Sequence, residues 1–371
     1  MRRNFSRLAL ALVVFAAVFL RSGDRVATDL VKATVGRVYA SHDCASASWE
    51  PGEGTVGQSP QLTIYALASD AESDTVYAGV WGDGVYRAES GKNSWIEPSL
   101  WTPWKIAALA IDPASPAIVY AGTIENGIKR SVDGGDSWGA TTGLEGQEVW
   151  SLAVASADGS IYAYAGTGGK IYTSTNGTNW NLAGGAGIGT EKFYALAIDP
   201  QDSKTAYVGT LGNGVYWTTN GGLNWTSRGL GGKTVRALVI HPSNREIIYA
   251  GTESHGVFKS TDGGALWPIS GLDGHKVLAI AINPRNPEFV YAGTYGDGVW
   301  ISYNGGHSWH RMSGLTDAAT FVYSLTLFTP EEEADCQVLY AGTLDGVWAR
   351  AVASVCTAYL PLVHKGSLMG Q

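Results

Sequence analysis

VLAIAINPRNPEFVYAGTYGDGVWISYNGGHSW, from Val277 to Trp309, carries the pattern that decides the fold. VLAIAI is a short apolar run ending at Asn283-Pro284, and EFVYAG is a β-rich run stopped by Gly293. GVWIS follows a glycine turn, Asn304-Gly305-Gly306 closes it, and Trp309 opens a fourth strand. Four short strands, mostly apolar on both faces, form a sheet that other sheets must cover on both sides.

Most of the chain consists of copies of this unit. The tyrosine of the Tyr-Ala-Gly-type segment stands at Tyr77, Tyr120, Tyr164, Tyr207, Tyr249, Tyr291 and Tyr340, at intervals of 42 to 49 residues. The closing tryptophans Trp95, Trp138, Trp180, Trp225, Trp267 and Trp309 step by 42 to 45. Both markers give the period of a propeller blade. The expectation is an all-β, single seven-bladed β-propeller of four-stranded blades.

The first strands begin at Ile64, Ile106, Val149, Phe193, Val235, Val277 and Val322. A small residue follows at the third position, Ala66, Ala108, Ser151, Ala195, Ala237, Ala279 and Ser324, where strands crowd around the axis and a bulky side chain overpacks. The seventh repeat ends in GVWARAVAS at Ser354 with no Asn-Gly turn and no closing tryptophan. Its fourth strand is expected from the other terminus, where Ser46-Ala47-Ser48-Trp49 copies the Ser-Trp ending of the other blades. An N-terminal strand completing the last blade removes the two unpaired edges of an open ring.

The repeats run without a linker, so residues 41–358 read as one propeller domain despite a length of 371 residues. Residues 1–40 read as a signal peptide or N-terminal anchor plus linker. Arg2, Arg3 and Arg7 precede LALALVVFAAVFL, an apolar core short for a membrane span, and small-residue cleavage sites end at Ala27 or Ala40. The chain is therefore expected to be exported, to the periplasm, the cell surface or the medium, and to meet a membrane only through an uncleaved leader. Residues 359–371 form a C-terminal tail. Export permits a disulfide, and Cys44 and Cys356 fall at the same end of the last blade; Cys336 with Cys356 is the competing pair.

The formal net charge of −8 is spread without basic blocks, which excludes a nucleic-acid backbone as the expected partner. The 49 glycines sit at repeating turn positions and so reflect turns rather than low complexity. No phosphate loop, dinucleotide fingerprint or nucleophile elbow is present, and no cofactor is expected. His255, His275 and His307 lack metal-ligand spacing, so no metal is expected either.

The turns between third and fourth strands read SVDGGDSW at Ser131, TTNGGLNW at Thr218, STDGGALW at Ser260, SYNGGHSW at Ser302 and a shorter STNGTNW at Ser174. With the LAIDP and VYAGT segments they resemble the Asp-box (BNR) repeat propellers, a superfamily that includes sialidases, sortilin-type receptors, xyloglucan-active glycoside hydrolases and photosystem II assembly factors. The resemblance covers nearly all of the chain after the leader. At the third position of the box, Asp133, Asn176, Asn220, Asp262 and Asn304 are expected to accept turn N–H groups, with glycine supplying positive φ and tryptophan buried between blades. That role is structural, and the resemblance puts the boxes away from the binding face.

The opposite face is built by the loops joining second to third strands and fourth to next first strands. The second-to-third loops offer Trp81, Asp83, Glu125, Glu253, His255, Tyr295, Asp297 and Asp345. The starts of the first strands offer Tyr65, Ala107, Trp150, Tyr194, Arg236, Leu278 and Tyr323, and a longer connection adds Trp101 and Trp104. Flat apolar faces beside carboxylates suit stacking on sugar rings or docking a peptide, so the partner expected at the channel mouth of this monomer is a glycan or a protein. No residue is assigned as catalytic. A glycosidase needs two carboxyls at a defined separation, and Asp83, Glu125, Glu253, Asp297 and Asp345 are the acids available. The main reading is a non-catalytic binding or assembly scaffold, with a xyloglucanase-like or sialidase-like hydrolase as the alternative.

Overall fold

The computed structural model describes residues 48–51, 62–70, 75–89, 95–96, 104–157, 160–184, 188–189, 191–328 and 336–353. The leader, Trp101, Cys44, Cys356 and the tail lie outside these residues, and the side chain of Cys336 does too. Seven four-stranded antiparallel sheets follow one another, and their first strands touch in ring order with Val322–Phe328 against Ile64–Asp70. The protein is a seven-bladed β-propeller.

The last blade has the sheet order Glu50–Pro51, Gly346–Ala353, Cys336–Thr343, Val322–Phe328. Glu50 pairs with Ala349 and Pro51 with Trp348, so the chain start supplies the missing strand. Proline is tolerated there because this strand lies at the sheet edge. Trp49 is 5% exposed and packs with Trp348, Met312 and Phe289. The Ser-Trp copy in the sequence thus marks the strand correctly.

Second strands such as Val290–Thr294 are buried along their whole length, whereas first strands alternate between buried and half-buried residues. The glycine of Tyr-Ala-Gly does not stop the second strand, because Gly293 pairs with both neighbouring strands inside Val290–Thr294. What it provides is room. A Cβ at Gly79, Gly122, Gly166, Gly209, Gly251, Gly293 or Gly342 would stand 2.5 to 2.8 Å from the residue opening the next blade's first strand, with Gly342 meeting Ile64 across the closure.

The tyrosine of the same segment reaches the next blade. Tyr77 Oη donates to Gly134 O, Tyr207 Oη to Gly263 O and Tyr249 Oη to Gly305 O, each in the following blade's third-to-fourth turn. In those turns Asp133 Oδ1 accepts the Ser137 N–H at 2.9 Å and the Ser131 hydroxyl at 2.7 Å. Hydrogen bonds from Ser137 hold the Asp133 carboxyl down at about 2. Asn176, Asn220, Asp262 and Asn304 accept the equivalent backbone N–H. Trp95, Trp180 and Trp225 are buried and meet Tyr340, Tyr120 and Tyr164 of the preceding blade edge-on. Trp138, Trp267 and Trp309 are only half-buried, and the fourth strand usually begins one residue after the tryptophan, as at His310–Arg311.

Candidate functional site

Every first strand carries the same irregularity. Val149 pairs with Thr167 and Ser151 with Gly166, which leaves Trp150 as an extra, bulged residue. The register shifts in the same way at Tyr65, Ala107, Tyr194, Arg236, Leu278 and Tyr323. A bulge bends the strand and re-aims one side chain. Here all seven bulged residues, with Lys276 and Tyr295, line one cavity of about 260 Å³ at the channel mouth.

The second-to-third loops add residues in a fixed register. The backbone N–H groups of Trp81, Glu253 and Tyr295 donate to the carbonyls of Thr63, Thr234 and Lys276, the residue preceding each first strand's opening position. This bond ties the first loop residue to the mouth. In six blades the loop itself is closed by a threonine ending the second strand, as Thr252 Oγ1 donates to Gly256 O and accepts the His255 N–H.

The aromatic residues form an arc. Tyr65 lies between Trp81, at 4.5 Å and 32°, and Tyr323, at 4.7 Å and 25°. Trp81 reaches Trp150 at 6.4 Å, Trp150 meets Tyr194 edge-on at 5.8 Å, and Tyr323 meets Tyr295 edge-on at 6.3 Å. Cations complete the circuit. Arg236 sits 3.9 Å above Tyr194 and Lys276 4.9 Å from Tyr295, and both bind Glu253 Oε1, at 3.2 and 2.6 Å.

Burial alone would raise the Glu253 carboxyl, but the hydrogen bonds and charges of Lys276 and Arg236 outweigh it and hold the group below its usual range. Burial pushes the Tyr323 hydroxyl up to about 12 and raises Tyr65, against a partial offset from Arg236. At neutral pH the mouth therefore holds neutral hydroxyl donors, two cations and one shared carboxylate.

The nominated residues separate by register. Tyr65, Trp81, Trp150, Tyr194, Arg236, Glu253, Tyr295 and Tyr323 belong to the circuit. Those one or two positions further along the loops point elsewhere. Asp83 accepts the Tyr86 hydroxyl at 2.6 Å, and His255 Nδ1 meets Ser254 Oγ at 2.9 Å. Asp297 faces His275 at 3.8 Å, and Asp345 is held at its backbone by Thr343. Glu125 has φ 83° where Gly82, Gly212 and Gly296 stand in other blades, and it lines a separate cavity of about 190 Å³ with Lys129 and Glu145. Trp104 packs on the Ile106 cluster under the Lys129 amine, 4.5 Å from its ring. Trp101 lies outside the described residues.

Three cations were not anticipated from the sequence. Lys105, Lys192 and Lys276 precede the opening residues of their first strands and reach the rings of Trp81, Trp150 and Tyr295. The signal was a basic residue two positions before the bulged one. Among the described residues, no group of three or more His, Cys, Asp or Glu is placed to hold a metal ion.

No family model matches the chain, and no curated protein does. Solved structures do. The GH74 enzyme of Niastella koreensis aligns with a TM-score of 0.64 and 19% identity over 80% of this chain and 53% of the enzyme. A structure of YCF48 bound to D1 peptide aligns with a TM-score of 0.63 and 15% identity, over 85% of this chain and 99% of that one. The extracellular domain of a putative hybrid two-component system from B. thetaiotaomicron aligns at 0.63 and 13%, over 82% of this chain and 40% of that one. The chain spans about half the length of the GH74 enzymes it matches. These likenesses establish the propeller fold, and they include both enzymes and a peptide-bound protein.

Proposed function

We propose that the chain is an exported propeller of the Asp-box type that acts as a non-catalytic binding or assembly scaffold. Its ligand, a glycan or a protein segment, is held at the channel mouth by the bulged residues. The observation that carries this reading is the circuit around the cavity, in which the acid nearest the mouth is already engaged by two cations. A glycosidase's general acid has to hold a proton to donate, and a carboxylate kept ionised by two cations is poorly suited to that part. Glu253 is tied to Arg236 and Lys276, Asp83 to Tyr86, and Glu125 lines a different cavity. The pairing of a propeller with a peptide in the YCF48 structure supports a protein partner, and the GH74 likeness supports a glycan.

The reading is tested by probing the whole chain against glycan and peptide arrays, followed by assays for reducing-end release. Retention that falls on Trp150→Ala, without turnover, is the expected result. Turnover lost in Glu253→Ala or Asp83→Ala would establish the hydrolase instead.

A further inference from the structure

The mouth is rich in aromatics, and several of their ring faces are already engaged. Tyr65 is covered on both sides by Trp81 and Tyr323 at low interplanar angles. Lys192 occupies a face of Trp150 at 4.4 Å, Arg236 a face of Tyr194 and Lys276 a face of Tyr295. Lys105 lies 5.6 Å from the Trp81 ring. A sugar ring stacks by laying its C–H face on an open aromatic face, and here one face each of Trp150, Tyr194 and Tyr295 serves one of the protein's own cations, while Tyr295 stays 46% exposed. Trp150 and Tyr194 meet at 79° and Tyr295 and Tyr323 at 83°, so ring edges also contribute to the lining. Aromatic edges carry the positive end of the ring quadrupole.

The charges point the same way. Arg236 and Lys276 share a single carboxylate, Glu253, and Lys192 pairs with Glu148 at 3.4 Å, while Lys105 adds a further positive charge. The cavity lining itself carries two cations, Arg236 and Lys276, against the one carboxylate they share, in a chain whose formal charge is −8. The Arg236 side chain lines the cavity and is held there by Glu253 Oε1 at 3.2 Å, while its Nε–H is buried away from the cavity space.

Resting on the reading of the mouth as a binding site, we propose that it recognises an acidic protein segment. A carboxylate of that segment joins Arg236 and Lys276, and apolar side chains of the same segment lie against the ring edges. Glu253 is then an internal counter-ion that occupies the cation pair in the free protein and competes with the ligand's carboxylate. The protein segment is favoured over an acidic polysaccharide because a cavity of about 260 Å³ suits one or two side chains better than a row of pyranose rings.

The test is titration of the full chain with N-acetylated hexapeptides carrying Asp or Glu beside Leu or Phe. Asn and Gln counterparts, trigalacturonate and cellotetraose serve as comparisons, read by Trp fluorescence and calorimetry at two salt concentrations. The acidic peptides are expected to bind about tenfold or more tightly than their amide counterparts, the range of a charge-assisted hydrogen bond, and to weaken as salt rises. Arg236→Gln and Lys276→Gln should each weaken them about tenfold, and Glu253→Gln should tighten them several-fold by removing the competitor. Lys192→Gln, at a more exposed position, serves where the other variants lose the native melt, and should reduce the salt dependence. Equal binding of acid and amide forms, or an Arg236→Gln variant with unchanged affinity, overturns the proposal. So does trigalacturonate binding through Arg236 when acidic peptides fail. Salt-insensitive binding of cellotetraose that Trp150→Ala abolishes refutes this inference while leaving the scaffold reading intact. No binding of any probe or array ligand at the mouth removes both.

Discussion

At the scale of single residues, the repeat lets one substitution be compared in neighbouring blades. Tyr249 and Tyr291 hold the same position one blade apart, and both are buried. Tyr249 Oη donates to Gly305 O at 2.9 Å, in the third-to-fourth turn of the next blade. Tyr291 looks toward the last blade, whose fourth strand comes from elsewhere and which has no such turn, and its hydroxyl has no partner. Tyr249→Phe is expected to cost about 1 kcal/mol, the net worth of a hydrogen bond whose acceptor keeps another donor in Lys259. Tyr291→Phe is expected to be neutral or to stabilise by up to about 1 kcal/mol, because the buried hydroxyl contributes only its desolvation cost. Urea unfolding of the two variants checks the contrast.

Among the elements, the bulged first strand and the glycine-bearing second strand decide both the ring and the mouth. The second-strand glycines are spacers between blades, so Gly251→Ala should cost about 1–3 kcal/mol by forcing a Cβ to within 2.8 Å of Val277. Gly231→Ala, where a Cβ meets nothing within 4 Å, should leave the melting temperature near wild type and serves as the control.

The same elements explain how far the sequence could be read. Blade number and strand order followed from the spacing of Tyr77 through Tyr340, because each blade must present that tyrosine to its neighbour. The starts of the first strands were recognised as a set, since the bulged residue differs from blade to blade between small positions that do not. The acids were harder. Glu253 and Asp83 look alike in a glycine-rich loop, but one sits at the tied first position and the other two positions later, and only backbone hydrogen bonding fixes which side chain turns inward. Lys276 and Lys192 were missed for a related reason: only the register of the bulged strand brings them over Tyr295 and Trp150. That one face of Trp150, Tyr194 and Tyr295 holds a cation is likewise something no spacing rule reveals.

At the scale of the whole molecule, the ring is closed by one short strand. The edge strand Glu50–Pro51 makes two pairings, while Trp49 beside it fills the space between Trp348 and Met312. Truncating a buried tryptophan costs about 3–5 kcal/mol. Trp49→Ala is therefore expected to lower the melting temperature more than an exposed-surface variant such as Leu266→Ala, and to reduce amide protection first along Gly346–Ala353. Uniform loss of protection across all blades would argue that the closure carries no special share.

That closure also sets an order of events at the ribosome. Within the propeller, Glu50 and Pro51 are synthesised ahead of every blade's first strand, and their pairing partners Ala349 and Trp348 only with the last blade. Six blades can assemble as the chain emerges, but the disc stays split until translation has passed Ala353, and a product released early keeps a bare strand edge on show. Completeness of the ring is thus checked by its own geometry, and an unfinished copy advertises itself to proteases and chaperones before it can offer a finished mouth to any partner.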